Sequence, residues 1–551
     1  MAHHTTTHRP IFDTAITLKN PFRPSRLLLS LLLGTLCWPS GWSQTNALPS
    51  LGNSEGISLS AERKLGDRIA RELYRDADYL EDPVLDEYIQ RLWAPLVKAA
   101  AARGELSPEL QERFAWRILL GRDRSVNAFA LPGGYLGVHL GLIAVVSSND
   151  ELASVLAHEL SHVTQRHIAR SMDEQSKMTP LVIGSMILGA IALSKNPQAA
   201  QGLIVGGQAA AIQSQLSYSR DMEREADRVG YGVLADAGYD PQGFVGMFAK
   251  LQQAAGLNDS GSYPYLRSHP LTTERMADMQ ARVQLNPAPS RPAADVTQAM
   301  LAARAKVLSQ NSPEALKAWT QDSKATSPQA TPAQRAGALY AATLSHLQLR
   351  DMAAAERQLQ ALLKTVADAP AAHRLAVLLQ AEVAAKQGRF DVALQLLQTL
   401  SNAKPPSAAT GTTSTVTSTV TSTATTPTPA MLRPELMATA ETLLRLPPHP
   451  ARSGVIQQLR EQVSGVPHDA QAWDALSRLY ALQGQALLSL RAEGEAQMAR
   501  LDWTGAVDRF RAAQNWAKNN PLQAGDHIEA SIVDTRLRQV QALLRELQAE
   551  R

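Results

Sequence analysis

Cysteine is almost absent. The only one among 551 residues, Cys37, sits in an apolar run near the start, so the chain beyond it can form no internal disulfide and no thiolate metal site. A metal there must be held by histidine, aspartate or glutamate. Aromatic residues make up only 5 % of the chain, while Ala and Leu are abundant, which favours helix. A dominant charge is missing too. The 54 Lys and Arg nearly cancel the 51 Asp and Glu, leaving a formal net charge of +3, which excludes the broad basic face of a nucleic-acid binder. No apolar run approaches the roughly 20 residues of a membrane-spanning helix; the two most apolar, Leu27 to Trp38 and Leu181 to Leu193, both fall short.

The length suggests about three domains at roughly 100–200 residues each. Lys19, Arg23 and Arg26 precede the first apolar run. Gly41 and Ser43 then occupy the −3 and −1 positions of a cut before Gln44, the order of a secretory leader. A leader over 1–43 and a lead-in over 44–56 are therefore expected. Residues from Leu59 to about Ala102 read as helix broken at Asp82-Pro83. Residues 115–146 are rich in Val, Ile, Phe and Leu around Pro132, Gly133 and Gly134, which predicts two or three short strands about a turn. Asn149-Asp150 is expected to cap the next helix. The run 181–193 reads as a buried or membrane-facing hairpin.

Pro-rich residues 286–299 mark a linker. Beyond it one pattern recurs: Met352, Ala355, Leu359, Leu362; Phe390, Ala393, Leu397, Leu400 after Gly388; and Trp503, Ala506, Phe510, Ala513. A small residue, a bulky one four places on and an apolar one three further fit the second helix of a tetratricopeptide hairpin. Residues 300–404 and 431–551 are thus expected to form repeats. The Thr, Ser and Pro-rich stretch 405–430 between them, without charge and nearly without bulky residues, predicts a disordered insert.

The chemistry lies in LAHELSHVTQRH, residues 156–167. His158 and His162 are four apart on a predicted helix, so one ion can reach both rings, and Glu159 beside the first can reach a metal-bound water as general base: the HExxH pattern. A catalytic zinc needs a third protein ligand. His167 lies about 140° from the pair if the helix continues at 100° per residue, and reads better as a solvated histidine at the helix end. Downstream, Glu223 and Asp227 are four apart with small Ala226 between them. Glu223 could complete the site and Asp227 orient a ligand histidine. On spacing alone the same helix, with Glu225 alternating, is equally a solvated acidic face.

HELSH, then Glu-x-x-x-Asp within EREAD about 60 residues later, then SHPLTTERM, resembles the M48 family of zinc metallopeptidases. The resemblance implies a mostly α chain: an α+β gluzincin-type metallopeptidase domain with a small sheet over 57–285, then an α-helical tetratricopeptide-like domain. It implies one zinc, Zn2+, held by His158, His162 and Glu223, with Glu159 as base and Asp227 behind a ligand. His269 and Arg275 match the family's later histidine and arginine, so His269 would steady the oxyanion or cap the resting metal, and Arg275 would help hold substrate. Asn127, Gly133 and Gly134 fall in the family's edge-strand segment and are candidates for substrate binding, or ordinary turn residues. With leader and repeats, the resemblance implies a periplasmic endopeptidase, peripheral to the outer membrane, acting on misfolded, unfolded or stalled outer-membrane proteins. Its repeats would engage clients or the outer-membrane β-barrel assembly machinery, and 181–193 would supply a peripheral membrane contact. Two other classes remain open: a chaperone or assembly adaptor with a latent protease site, and a membrane-embedded peptidase, against which the short apolar run argues.

Overall fold

The computed structural model describes residues 57–174, 218–255, 263–285, 295–325, 327–402, 431–523 and 525–549. The expected leader, lead-in, apolar hairpin at 181–193, most of the linker and the insert at 405–430 lie outside the described residues. Among the described residues, helices dominate around one four-stranded sheet.

Helix α1 (Leu59–Arg75) starts on Ser58, whose hydroxyl accepts from the Ala61 N–H. Strand β1 (Tyr79–Leu80) follows, two residues too few to register against the helical periodicity around them. Helix α2 (Pro83–Ala102) breaks in at the expected Asp82-Pro83: proline needs no partner at a helix start, and the Asp82 carboxylate accepts from the Leu85 N–H. After α3 (Pro108–Arg113) come β2 (Arg117–Gly121), β3 (Ala128–Leu131) and β4 (Tyr135–His139). The sheet order is β1-β2-β4-β3, with β2 and β4 parallel and the other pairs antiparallel, which puts β3 at an edge. Gly133 and Gly134 turn β3 into β4 with φ of 72° and 83°, where a side chain would be strained. Their carbonyls accept from the N–H groups of Ala115 and Arg117, which explains them as turn residues.

Helix α4 (Leu140–Val145) continues from β4, and α5 (Asn149–Thr164) carries the histidines. Its cap is Ser148, one residue before the expected Asn149-Asp150, because the Ser148 hydroxyl is the group that reaches the Glu151 N–H. Every residue from Glu151 to Thr164 is buried, so α5 is a central helix rather than an amphipathic one. Around it lie α6 (His167–Glu174), α7 (Arg220–Asp236), α8 (Gln242–Ala255), α9 (Tyr265–Ser268) and α10 (Thr273–Leu285).

Helix α7 crosses α5 at backbone contact. Ala226 is fully buried, and a Cβ on Gly230 would stand 3.2 Å from the Ala157 carbonyl and the His158 nitrogen. This approach aligns the acids of α7 with the histidines of α5. Gly230→Leu should force the helices apart, lowering stability by about 1–3 kcal/mol through overpacking. It should also weaken the zinc binding that the family resemblance implies; an unchanged zinc affinity by chelator competition would show that the crossing does not set the site.

The remaining helices are α11 (Val296–Ser309), α12 (Pro313–Thr320), α13 (Pro332–Gln348), α14 (Met352–Thr365), α15 (Pro370–Lys386), α16 (Phe390–Asn402), α17 (Arg433–Leu443), α18 (Ala451–Gly465), α19 (Ala470–Leu482), α20 (Ala486–Ala499), α21 (Trp503–Asn519) and α22 (Asp526–Ala549). The recurring pattern falls on α14, α16 and α21. Ala355, Leu359 and Leu362, Ala393 and Leu397, and Ala506, Phe510 and Ala513 are all buried against their hairpin partners. Each hairpin turns on a residue of positive φ two places before its second helix: Arg350, Gly388 and Leu501.

With no cysteine among the described residues, these helices are joined to the sheet-bearing region by a shared core and by arginine. The apolar cluster runs from α2, α4 and α5 into α11 to α16, with Leu140 and Ile143 in the same cluster as Met300 and Leu301. Four acids at the start of α2 each receive an arginine from a different place. Arg304 grips Asp82 at 2.7 and 2.9 Å, Arg374 grips Glu87 at 2.7 Å, Arg433 reaches Asp86 at 3.3 Å, and Arg500 grips Glu81 at 2.8 Å. Arg374, Arg433 and Arg500 each bind a second acid in their own region, Glu435, Asp469 and Asp474.

Candidate metal centre

One turn of α5 brings His158 and His162 together, with their Nε2 atoms 3.0 Å apart. Helix α7 supplies Glu223, whose carboxylate lies 3.5 Å from His158 Nε2 and 3.4 Å from His162 Nε2. His269, just after α9, adds Nδ1 at 2.9 Å from Glu223 and 3.3 Å from His158 Nε2. All four are buried, and each offers one donor atom within 4.8 Å of the others. Tetrahedral ligands about 2.1 Å from zinc lie about 3.4 Å from one another, so nitrogen and carboxylate donors at these separations fit the ion.

Glu159 is fully buried beside this cluster. Its Oε2 accepts from the Ala130 N–H of edge strand β3 at 2.9 Å. Among the described residues its Oε1 has no hydrogen-bond partner and lies 3.4 Å from His269 Nε2, which has none there either. Burial raises the Glu159 carboxyl above the usual carboxylate range, against the pull of His269 and His158. Burial also works to raise Glu223, but His269, His158 and His162 outweigh it and hold that carboxyl well below its usual value.

Asp227 stands behind His158. Its Oδ1 is 3.0 Å from His158 Nδ1, an ion-pair distance, although the ring N–H is not aligned for a hydrogen bond. Arg275 grips Asp227 with two bonds of 2.7 and 2.8 Å, contacts Glu223 at 2.6 Å and donates to the Pro270 carbonyl. Its guanidinium is thus committed within the protein, and only 5 % of the residue is exposed. Asn127 is buried just before β3, where its carbonyl accepts from the His139 N–H.

His167 differs from its expected place. It is fully buried, with Nδ1 2.9 Å from His162 Nδ1 and Nε2 3.0 Å from Glu225. The 140° offset assumed a continuous helix. Helix α5 instead ends at Thr164, and Arg166, at φ 53°, turns the chain back so that His167 faces His162. Two tyrosines also line the cluster. Tyr218 stacks on His162 with ring centroids 3.8 Å apart, and Tyr265 stacks on His269 at 4.5 Å. Nothing in their local sequence separates them from core aromatics.

A helical HExxH pair beside a glutamate from a second helix, next to an edge strand, has the form of a gluzincin metallopeptidase centre. Residues 85–283 match the family model of Peptidase family M48, and the chain carries a domain of that family, whose metal is zinc. The chain is similar to the beta-barrel assembly-enhancing proteases of Escherichia coli K12 (34 % identical over 266 residues, 47 % of this chain and 52 % of that protein) and Yersinia pestis (37 % over 255 residues, 45 % and 50 %). It is also similar to the mitochondrial metalloendopeptidase OMA1 of Arabidopsis thaliana, 33 % identical over 198 residues, covering 35 % of this chain and 36 % of that one. The chain spans about half the length of the bacterial relatives it matches.

Proposed function

We propose that this chain is a zinc-dependent endopeptidase that cleaves unfolded or misassembled proteins. The buried cluster of His158, His162, Glu223 and His269, with the Glu159 Oε1 beside it unbonded among the described residues, carries this reading. His158, His162 and Glu223 would hold the ion. Zinc supplies Lewis acidity toward a carbonyl oxygen and makes water more acidic. Glu159 takes a proton from the attacking water at Oε1 and passes it to the leaving amine nitrogen. The Ala130 N–H holds its other oxygen, so the base is fixed against β3. A peptide added to that edge by backbone hydrogen bonds would lie next to Glu159 whatever its side chains, which suits sequence-tolerant cleavage. His269 Nε2 faces the negative charge that develops on the carbonyl oxygen. Asp227 orients His158, and Arg275 positions Asp227 and Glu223. Asn127 would help seat the substrate backbone, and Gly133 and Gly134 keep the turn that presents β3.

The relatives' names support a role in outer-membrane β-barrel assembly, and the leader-like start supports a periplasmic site. The helices over 300–404 and 431–551, with the tetratricopeptide-like pattern on α14, α16 and α21, would recruit clients or the assembly machinery. One observation favours a second reading, a latent protease serving as an adaptor: His269 already stands within the donor set. No helix among the described residues is long and apolar enough to cross a membrane.

The test is casein cleavage by the purified full chain, with bound zinc quantified. About one zinc per chain, cleavage lost to 1,10-phenanthroline and restored by added zinc, is the expected result. Zinc bound without cleavage would favour the adaptor; no zinc and no cleavage after zinc addition would sink both readings of the site.

A further inference from the structure

His158 and His162 are unlike in what stands behind them. Behind His158 is a carboxylate, Asp227, at 3.0 Å. Behind His162, among the described residues, is another imidazole: its Nδ1 meets the Nδ1 of His167 at 2.9 Å. The other nitrogen of His167 faces Glu225 at 3.0 Å, and Arg170 holds the same Glu225 oxygen at 2.7 Å. His167 is fully buried, and the chain reverses at Arg166 to bring it there.

We infer that His167 and Glu225 form a relay that positions His162 and fixes its tautomer, so that a carboxylate backs each histidine of the HExxH pair, directly for His158 and through one imidazole for His162. Two nitrogens 2.9 Å apart need one donor and one acceptor. A carboxylate only accepts, so His167 Nε2 carries the hydrogen that faces Glu225. In neutral His167 its Nδ1 is then the acceptor, and His162 Nδ1 must be the donor. That leaves the lone pair of His162 on Nε2, the atom that faces His158 and Glu223. The tautomer that can bind a metal from Nε2 is thus selected by hydrogen bonds from outside the cluster.

The geometry of α7 makes this economical. Glu223 and Asp227 are one turn apart and both face α5. Glu225 lies about 200° round the helix from Glu223, at 100° per residue, and turns away from the cluster. It is useful only because α6 brings His167 to that side. Arg170, three residues on, anchors the carboxylate at its exposed end.

The inference rests on reading the cluster as a metal centre, and its test separates the two. Zinc affinity of the full chain is measured by competition with a chromophoric chelator, alongside the visible spectrum of the cobalt(II)-loaded protein and the melting temperature of the metal-free protein. His167→Leu removes the acceptor and should weaken zinc binding about 10- to 100-fold and alter the cobalt spectrum. His167→Asn places an oxygen near the former Nδ1 and should restore binding to within about threefold of the parent, with the parental spectrum. Glu225→Gln, at a partly exposed position, should lower affinity in the same direction with no loss of metal-free melting temperature. Parental affinity and spectrum in His167→Leu would overturn the relay. So would equal losses in the Leu and Asn variants that track equal losses of metal-free stability, since His167 would then be only a packing residue. If the parent binds no zinc, the metal reading itself fails.

Discussion

Glu159→Gln is expected to retain about one zinc per chain and lose casein cleavage by about 100-fold or more, the range by which a positioned general base accelerates a reaction. The substitution changes little else. The glutamine amide keeps a carbonyl oxygen to accept from the Ala130 N–H, and no metal donor is removed, because the cluster is built from His158, His162, Glu223 and His269. What is lost is the ability to accept a proton at Oε1 and carry it to the leaving amine. Cleavage within about threefold of the parent would remove Glu159 from the chemistry. Lost cleavage with lost zinc would show instead that the substitution disturbs the cluster.

Asp82→Ala is expected to destabilise the protein by about 3 kcal/mol or more. Removing one partner of a buried ion pair typically costs about 3–5 kcal/mol, because the surviving charge keeps its desolvation penalty. Arg304 and Asp82 are only 7 % and 6 % exposed, so little water can replace the lost carboxylate. Glu382 and the Tyr340 hydroxyl, each 3.2 Å from Arg304, temper the effect. Loss of the α2 cap at Leu85 adds about 1 kcal/mol. Urea denaturation measures the change. The double variant Asp82→Asn, Arg304→Met keeps a capping side chain and removes the stranded charge, so it should recover most of the loss. If it is as unstable as the sum of its single variants, the pair is not coupled and the docking rests on the apolar core alone. Because that core runs from α5 into α16, zinc release and unfolding of the helical region should coincide in the same titration.

Where local chemistry decides, the amino-acid sequence was enough. Asp82-Pro83 opens α2, since a proline and a capping carboxylate act within one turn. The small-bulky-apolar spacing of Met352 to Leu362 and its two echoes marked the inner faces of three hairpins, since helical periodicity alone sets which residues share a face. HExxH at 158–162 placed two imidazoles on one side of a helix for the same reason. What failed were extrapolations across a change of backbone direction: a helix phase carried past Thr164 put His167 in solvent, and only the left-handed turn at Arg166 reverses it. The tertiary structure alone decided which distant groups meet. Glu225 and Glu223 are near neighbours in an acidic run, yet one faces the cluster and the other His167, because α5 and α6 pack on different sides of α7. Likewise Glu81, Asp82, Asp86 and Glu87 look like an ordinary solvated acidic start to a helix. They become the seat of the helical region because four arginines, the nearest more than 200 residues further along, converge on them, and a pairing at that separation leaves no periodic trace in the sequence.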